Sequence, residues 1–236
     1  MIHTRHKPLE EILQMLSGAT KVAVLGCGGC VAFYRTGGAA QVRELAEKLG
    51  EHLQVVSLGV SNRQCYLCRE EELSGLGDAE RIRKIARELE GFERLEEVEA
   101  VLSLACGVGV QNLAGLLELP VYPAQNTLFM GRRRVEGDFD IELCVGCGDC
   151  VLGYTGGICP VTRCSKSLMN GPCGGVFNGL CEVSRATGEE IPCAWVEIYR
   201  RLKKLGRLEE LRRIREPRSH AASGIPRRVK VQEGAG

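Results

Sequence analysis

Residues 143–195 hold eight cysteines, at positions 144, 147, 150, 159, 164, 173, 181 and 193, spaced among glycines and prolines with few long apolar runs. Such a stretch cannot bury enough apolar surface to order itself, so its fold has to be organised by something other than a core. The whole chain has 13 cysteines in 236 residues. Disulfides, structural zinc and iron–sulfur clusters are the three devices that use thiols at this density. The opening stretch MIHTRHKPLEEILQML has no uninterrupted apolar segment of the kind an export signal needs. Its Leu9, Ile12, Leu13 and Leu16 follow helical spacing, which predicts an amphipathic N-terminal helix over 1–18. No apolar run approaches membrane-spanning length. The expectation is a cytoplasmic protein without a membrane span. In that reducing compartment dense thiols serve as metal ligands or redox groups.

The stretch ELCVGCGDC (142–150) narrows the choice. Cys144, Cys147 and Cys150 reproduce the first three ligands of the bacterial ferredoxin run C-x2-C-x2-C-x3-C-P. The Cys-Pro follows as Cys159–Pro160, after eight intervening residues in place of three. In two-cluster ferredoxins that thiol serves the other cluster. By analogy Cys159 joins Cys164, Cys173 and Cys181, while Cys193 completes the set of Cys144, Cys147 and Cys150. Zinc is the competing metal, since isolated C-x2-C pairs are ordinary zinc knuckles. It often takes histidine, but His3, His6, His52 and His220 all lie outside the cysteine segments. Nor does zinc call for a third cysteine at the same spacing. Iron–sulfur chemistry is therefore preferred for 137–195, with zinc left open at one of the sites.

Upstream the pattern changes to alternating strand and helix. KVAVLG (21–26), LQVVSLGV (53–60), AVLSLA (100–105) and PVYPA (120–124) read as strands. Between them, Val42, Leu45, Ala46 and Leu49 give a helical stripe stopped by Gly50, and Asp78 caps a helix striped with Ile82, Ile85, Ala86 and Leu89. GVQNLAGLLEL supplies a third helix. The prediction for 19–136 is an α/β domain, a small parallel Rossmann-like sheet with helices on both faces. Cys27 and Cys30 follow the first strand, Cys65 and Cys68 the second, and Cys106 the third. All five lie at carboxyl strand ends, where open α/β sheets build their sites, so they converge on one crevice as a candidate metal site. GCGGCV also partly matches a dinucleotide fingerprint through Gly26 and Gly28. However, Val31 holds the third glycine position and no acidic residue follows the second strand as required. Gly26, Gly28 and Gly29 are better used to let backbone N–H groups approach cluster sulfurs.

Other features carry less chemistry. A formal net charge of +1 gives no field that would mark a nucleic-acid binder. Trp195, Ile198, Tyr199 and Leu202 stripe a C-terminal helix over 196–216, for packing or an interface. Lys166 and Asn170 satisfy backbone groups or face water, and 217–236 is expected to be a mobile tail. No acid–base pair or nucleophile arrangement stands out.

Together, GCGGCVAFYRTGGAAQV, RQC, LACGVGVQ, PAQNTLFMG, CVGCGDCVLGYTGGICPVTRCSKSLMNGPCGG, NGLCEV and PCAW resemble the small, MetV-type iron–sulfur subunit of methylenetetrahydrofolate reductase, also described as that reductase's C-terminal domain family. The resemblance spans roughly residues 8–215. It implies metal ligands at Cys27, Cys30, Cys65 and Cys106 and at all eight C-terminal cysteines, with Cys68 an extra thiol. It also implies two or three 4Fe–4S clusters and a role in electron transfer. The implied partner is a flavin-bearing catalytic subunit that reduces 5,10-methylenetetrahydrofolate to 5-methyltetrahydrofolate in the reductive acetyl-CoA route of one-carbon metabolism. An electron donor, sometimes of heterodisulfide-reductase type, stands upstream. A (β/α)8 barrel needs about 250 residues, so the FMN and folate chemistry is expected in the partner, and this chain is not catalytic alone.

Overall fold

Apolar runs too continuous to alternate between core and solvent must be covered on both faces, and the computed structural model covers them so. It describes residues 1–67, 75–76, 80, 84, 89–90, 94–133, 140–217 and 227. The chain divides into two units, Met1–Phe129 and Met130–Gly236.

The first unit begins with strand β1 (Ile2–His6), helix α1 (Leu9–Met15) and strand β2 (Lys21–Cys27). Next come α2 (Cys30–Phe33), α3 (Ala39–Gly50), β3 (Gln54–Ser61), β4 (Leu89–Glu90), β5 (Ala100–Ser103), α4 (Gly107–Leu116) and β6 (Val121–Pro123). β7 (Gln125–Arg133) carries the chain into the second unit. The main sheet has the order β4-β3-β2-β5-β6. β3, β2, β5 and β6 run parallel, in a register that sets Val22 beside Val55 and Ala100 and Val101 beside Val121. β4 joins its edge antiparallel. Val22, Ala23, Val24 and Leu25 are completely buried. Alternate residues feed two cores. Val22, Val24 and Leu102 meet Ile12, Leu16, Val42, Leu45 and Leu49 from α1, α3 and their flanks. Ala23, Leu25 and Val101 meet Leu113 and Leu116 of α4. Each buried aliphatic side chain contributes about 1.5–3 kcal/mol, so this unit has a core of its own.

The parallel sheet agrees with the sequence; some element limits do not. The expected N-terminal helix is shorter, because Pro8 stands at its start and holds the residue before it out of helical geometry. Ile2–His6 form a strand beside β7 instead. Leu89, expected on a helical stripe, opens β4, while Asp78, Ile82, Ile85 and Ala86 lie outside the described residues. Cys68 and the tail beyond Pro217, Arg227 excepted, also lie outside them.

In the second unit, Met130–Arg133 of β7 pair antiparallel with β8 (Asp140–Cys144). Two one-turn helices follow, α5 (Pro160–Arg163) and α6 (Ser184–Thr187), then α7 (Ala194–Lys204). The buried core here consists of Trp195, Ile198 and Leu202, flanked by Ile158, Cys164, Cys193 and Leu211. Tyr199, expected on the same stripe, is exposed. The helix expected to run to 216 stops at Lys204. Gly206, at φ 67°, closes it, with its N–H donating to the Lys203 carbonyl and the Arg207 N–H to the Leu202 carbonyl. That pairing is a Schellman stop, and the left-handed residue it needs is the glycine.

Candidate metal centre

β2 ends at Cys27, and α2 begins at Cys30. Cys65 sits in a short 3-10 turn just past β3, and Cys106 occupies the N-cap of α4. Because β3 and β5 flank β2 on opposite sides, these positions meet at the reversal point of the sheet, where open α/β folds form a crevice. The four cysteines line one cavity of about 450 Å3, together with Gly28, Gly29 and Arg63. Cys27 is buried and accepts the Gln64 N–H on its sulfur at 3.5 Å. Partial burial pushes the Cys65 thiol above its ordinary range, and the nearby Cys27, Cys106 and Cys30 push it the same way. Four thiolates at these positions repel one another; a cation among them reverses that sign, releasing protons as it binds.

Two of the three glycines do different work from that expected. A Cβ on Gly26 would lie 2.6 Å from Val42 Cγ2 and 2.7 Å from the Gly37 carbonyl, so this glycine serves packing. The Gly28 N–H donates to the Ser61 carbonyl at 2.7 Å, which removes it as a donor to sulfur. Gly29 is the one beside a thiol, its Cβ position 3.5 Å from Cys27 Sγ.

A second cavity, of about 270 Å3, is lined by Cys144, Cys147, Cys150 and Cys159. β8 delivers Cys144; Gly146 at φ 60° and Gly148 at φ 82° then turn the chain around Cys147, a path that residues with a Cβ rarely follow. The Gly146 N–H donates to Cys144 Sγ at 3.3 Å. The sequence analogy sent Cys159 to the other set and brought Cys193 here. The structure sets Cys159 in the pocket of Cys144, Cys147 and Cys150: it is the residue before α5, with Pro160 as the first helical residue, and α5 packs back onto β8.

Cys164, Cys173, Cys181 and Cys193 remain. Cys164 and Cys193 pack against the Trp195 core. The Cys181 N–H donates to the Ile191 carbonyl and the Cys193 N–H to the Gly179 carbonyl, so these two cysteines flank the bridge between Leu180 and Pro192. Cys193 is also the N-cap of α7. Cys173 Sγ receives the Gly175 N–H at 3.5 Å and lies 3.8 Å from Lys166 Nζ. The Gly175 N–H, with the Lys166 charge behind it, holds this thiol below its ordinary range. Lys166 also pairs with Glu182, so it does more than face water. Asn170 satisfies backbone groups: it donates to the Arg215 carbonyl at 2.9 Å and accepts the Arg215 N–H at 2.8 Å. Among the described residues no three His, Cys, Asp or Glu side chains are grouped as a preassembled metal site. The twelve described cysteines are all free thiols. Two pockets walled by four sulfurs each are a donor set suited to iron–sulfur clusters or zinc.

Sequence reasoning passed over Gln64, a buried polar residue next to Cys65. It also passed over the Arg163–Glu197 ion pair, 3.0 Å, which joins α5 to α7. Neither has a local periodic signal, since each partner comes from a distant element.

No curated protein and no solved structure matches the chain. Residues 122–221, less than half of it, match the family described as Methylene-tetrahydrofolate reductase C terminal. Through the unit that holds the eight clustered cysteines, this chain is similar to the C-terminal part of methylenetetrahydrofolate reductase.

Proposed function

We propose that the chain is the iron–sulfur electron-transfer subunit of a two-subunit methylenetetrahydrofolate reductase. Its electrons pass to the flavin of a catalytic partner, which reduces 5,10-methylenetetrahydrofolate to 5-methyltetrahydrofolate. The observation that carries this reading is the four-cysteine pocket of Cys144, Cys147, Cys150 and Cys159, which lies inside the segment that matches the reductase family. The pocket of Cys27, Cys30, Cys65 and Cys106 supports a second centre. Cys164, Cys173, Cys181 and Cys193 are the remaining donors for a third.

Bound at such sites, a 4Fe–4S cluster supplies one-electron transfer at low potential, which a flavin can collect in pairs. The chain's part is to hold and tune. Cys144, Cys147 and Cys150 come from one tight loop and Cys159 from the start of α5. Hydrogen bonds from Gly146 to Cys144 and from Gln64 to Cys27 draw charge from those sulfurs. FMN and folate belong to the partner, and an electron-supplying protein, of heterodisulfide-reductase type in some systems, stands upstream. Among the described residues no helix is long and apolar enough to cross a membrane.

The test starts with anaerobically purified protein, which is expected to be brown, to bleach with dithionite and to contain at least two 4Fe–4S clusters. Less than one cluster's worth of iron after reconstitution, with zinc in its place, makes the chain a metal-stapled assembly module. The second step is a pair of rates on Cys147→Ser mixed with the flavin subunit. Electron input from the upstream donor is expected to fall, while direct reduction of the flavin by an artificial donor is retained. Equal loss of both in an intact complex rejects the electron-transfer role.

A further inference from the structure

Gln64 is fully buried, and a buried amide is costly unless each of its groups finds a partner. Its Nε2 donates to the Gly26 carbonyl at 2.9 Å and the Leu25 carbonyl at 3.3 Å. Its Oε1 accepts the Ser103 hydroxyl at 2.6 Å. Ser103 Oγ in turn accepts the Ala105 N–H at 3.2 Å. The backbone of the same residue is equally engaged: its N–H points to Cys27 Sγ, and its carbonyl accepts Asn112 Nδ2 of α4 at 2.8 Å.

These contacts map onto the thiols. Leu25 and Gly26 lead directly into Cys27, Gln64 itself precedes Cys65, and Ser103 to Ala105 lead into Cys106. One side chain therefore ties together three strand ends, each of which delivers a sulfur. The sheet does not depend on this tie, because its ladders and both apolar cores are complete without Gln64. An apolar side chain of similar size would fill the space; what it could not do is fix Cys65 relative to Cys27 and Cys106.

We infer that Gln64 is a positioning residue for a metal group held by Cys27, Cys30, Cys65 and Cys106. The inference rests on the metal-binding reading of that pocket. Gln64 acts through the strand ends and sets the separations of the sulfurs, and it touches no metal itself. Outer contacts of this kind are worth about 10–100-fold in metal affinity.

The test uses the full chain loaded anaerobically with 113Cd, an NMR-visible metal that thiolates bind. The resonance that Cys65→Ser abolishes marks the first-unit site. In Gln64→Met, competition with a chelator is expected to show cadmium at that site weakened about 10–100-fold. The second-unit resonances and the amide-exchange protection of β2, β3 and β5 are expected to persist. Ser103→Ala, which removes the donor to Oε1, is expected to weaken the same site less, and to add little in the double variant. Parental affinity in a folded Gln64→Met overturns the proposal. If Gln64→Met does not fold, Ser103→Ala decides: parental affinity overturns the proposal, and weakened affinity supports it. If the parent chain gives no Cys65-dependent resonance, the metal-binding reading of this pocket falls first, and this proposal falls with it.

Discussion

Cys27 and Cys106 leave strands whose side chains are almost all buried, whereas Cys144 leaves a strand that is half-buried at best. The first four-cysteine pocket sits at the edge of a parallel sheet with two apolar cores. The second sits in loops beside a core of three buried side chains. Thiols of the same kind thus stand on very different foundations. On the sheet, two apolar cores position the strand ends that bring the sulfurs together. In the loops, three buried side chains are a small core, and a metal bound by the sulfurs would have to do much of the folding. Ligand count alone does not separate a metal that a fold accommodates from one that makes the fold.

Metal removal tests that contrast most severely. Chelation or oxidative loss of the metal is expected to strip hydrogen-exchange protection from residues 143–193, while β2, β3 and β5 stay protected. Equal protection in both units after removal would erase the distinction. Core truncation should act the opposite way. Leu25→Ala is expected to cost about 2–5 kcal/mol in denaturant unfolding of the first unit. Metal content of the second should stay unchanged, and a loss there would mean that the units do not fold independently.

Thiol titration separates the two units more finely. The raised Cys65 pKa leaves less thiolate at neutral pH, and the lowered Cys173 pKa leaves more. In metal-free protein Cys65 is therefore expected to alkylate more slowly than Cys173 between pH 7 and 9, as read by peptide mass spectrometry. Urea should remove the difference. If Cys65 reacts first, its pocket is not assembled without metal. The smallest effect belongs to the partly buried Arg163–Glu197 pair. Glu197→Gln keeps the shape of the contact and loses the charge, for an expected cost of about 1 kcal/mol in metal-loaded protein. No measurable change would mean that the second unit is held by its metal and Trp195 core alone.

How far the sequence could be read follows the same division. Runs such as KVAVLG and AVLSLA are buried on both faces, and that burial is written into their composition. Knowing where the strands end was enough to bring Cys27, Cys65 and Cys106 to one edge. Ile2–His6 could not be read in this way, because the partner that makes it a strand, β7, lies far along the chain. The pocket that Cys159 lines could not be read for a related reason. Spacing offers an analogy to known cysteine runs, but the thiols it joins depend on α5 folding back onto β8. Gln64 is a glutamine like any other until three separate strand ends surround it.

Cys106, Cys159 and Cys193 each occupy the residue before a helix, and none of the three caps it with a side-chain hydrogen bond. Serine there would start a helix better, by about 1 kcal/mol. The chain forgoes that grip at three helix starts, and each of these helices begins one residue after a candidate metal ligand. A metal held by those thiols would therefore fasten each helix at its beginning, and removing it would loosen all three starts.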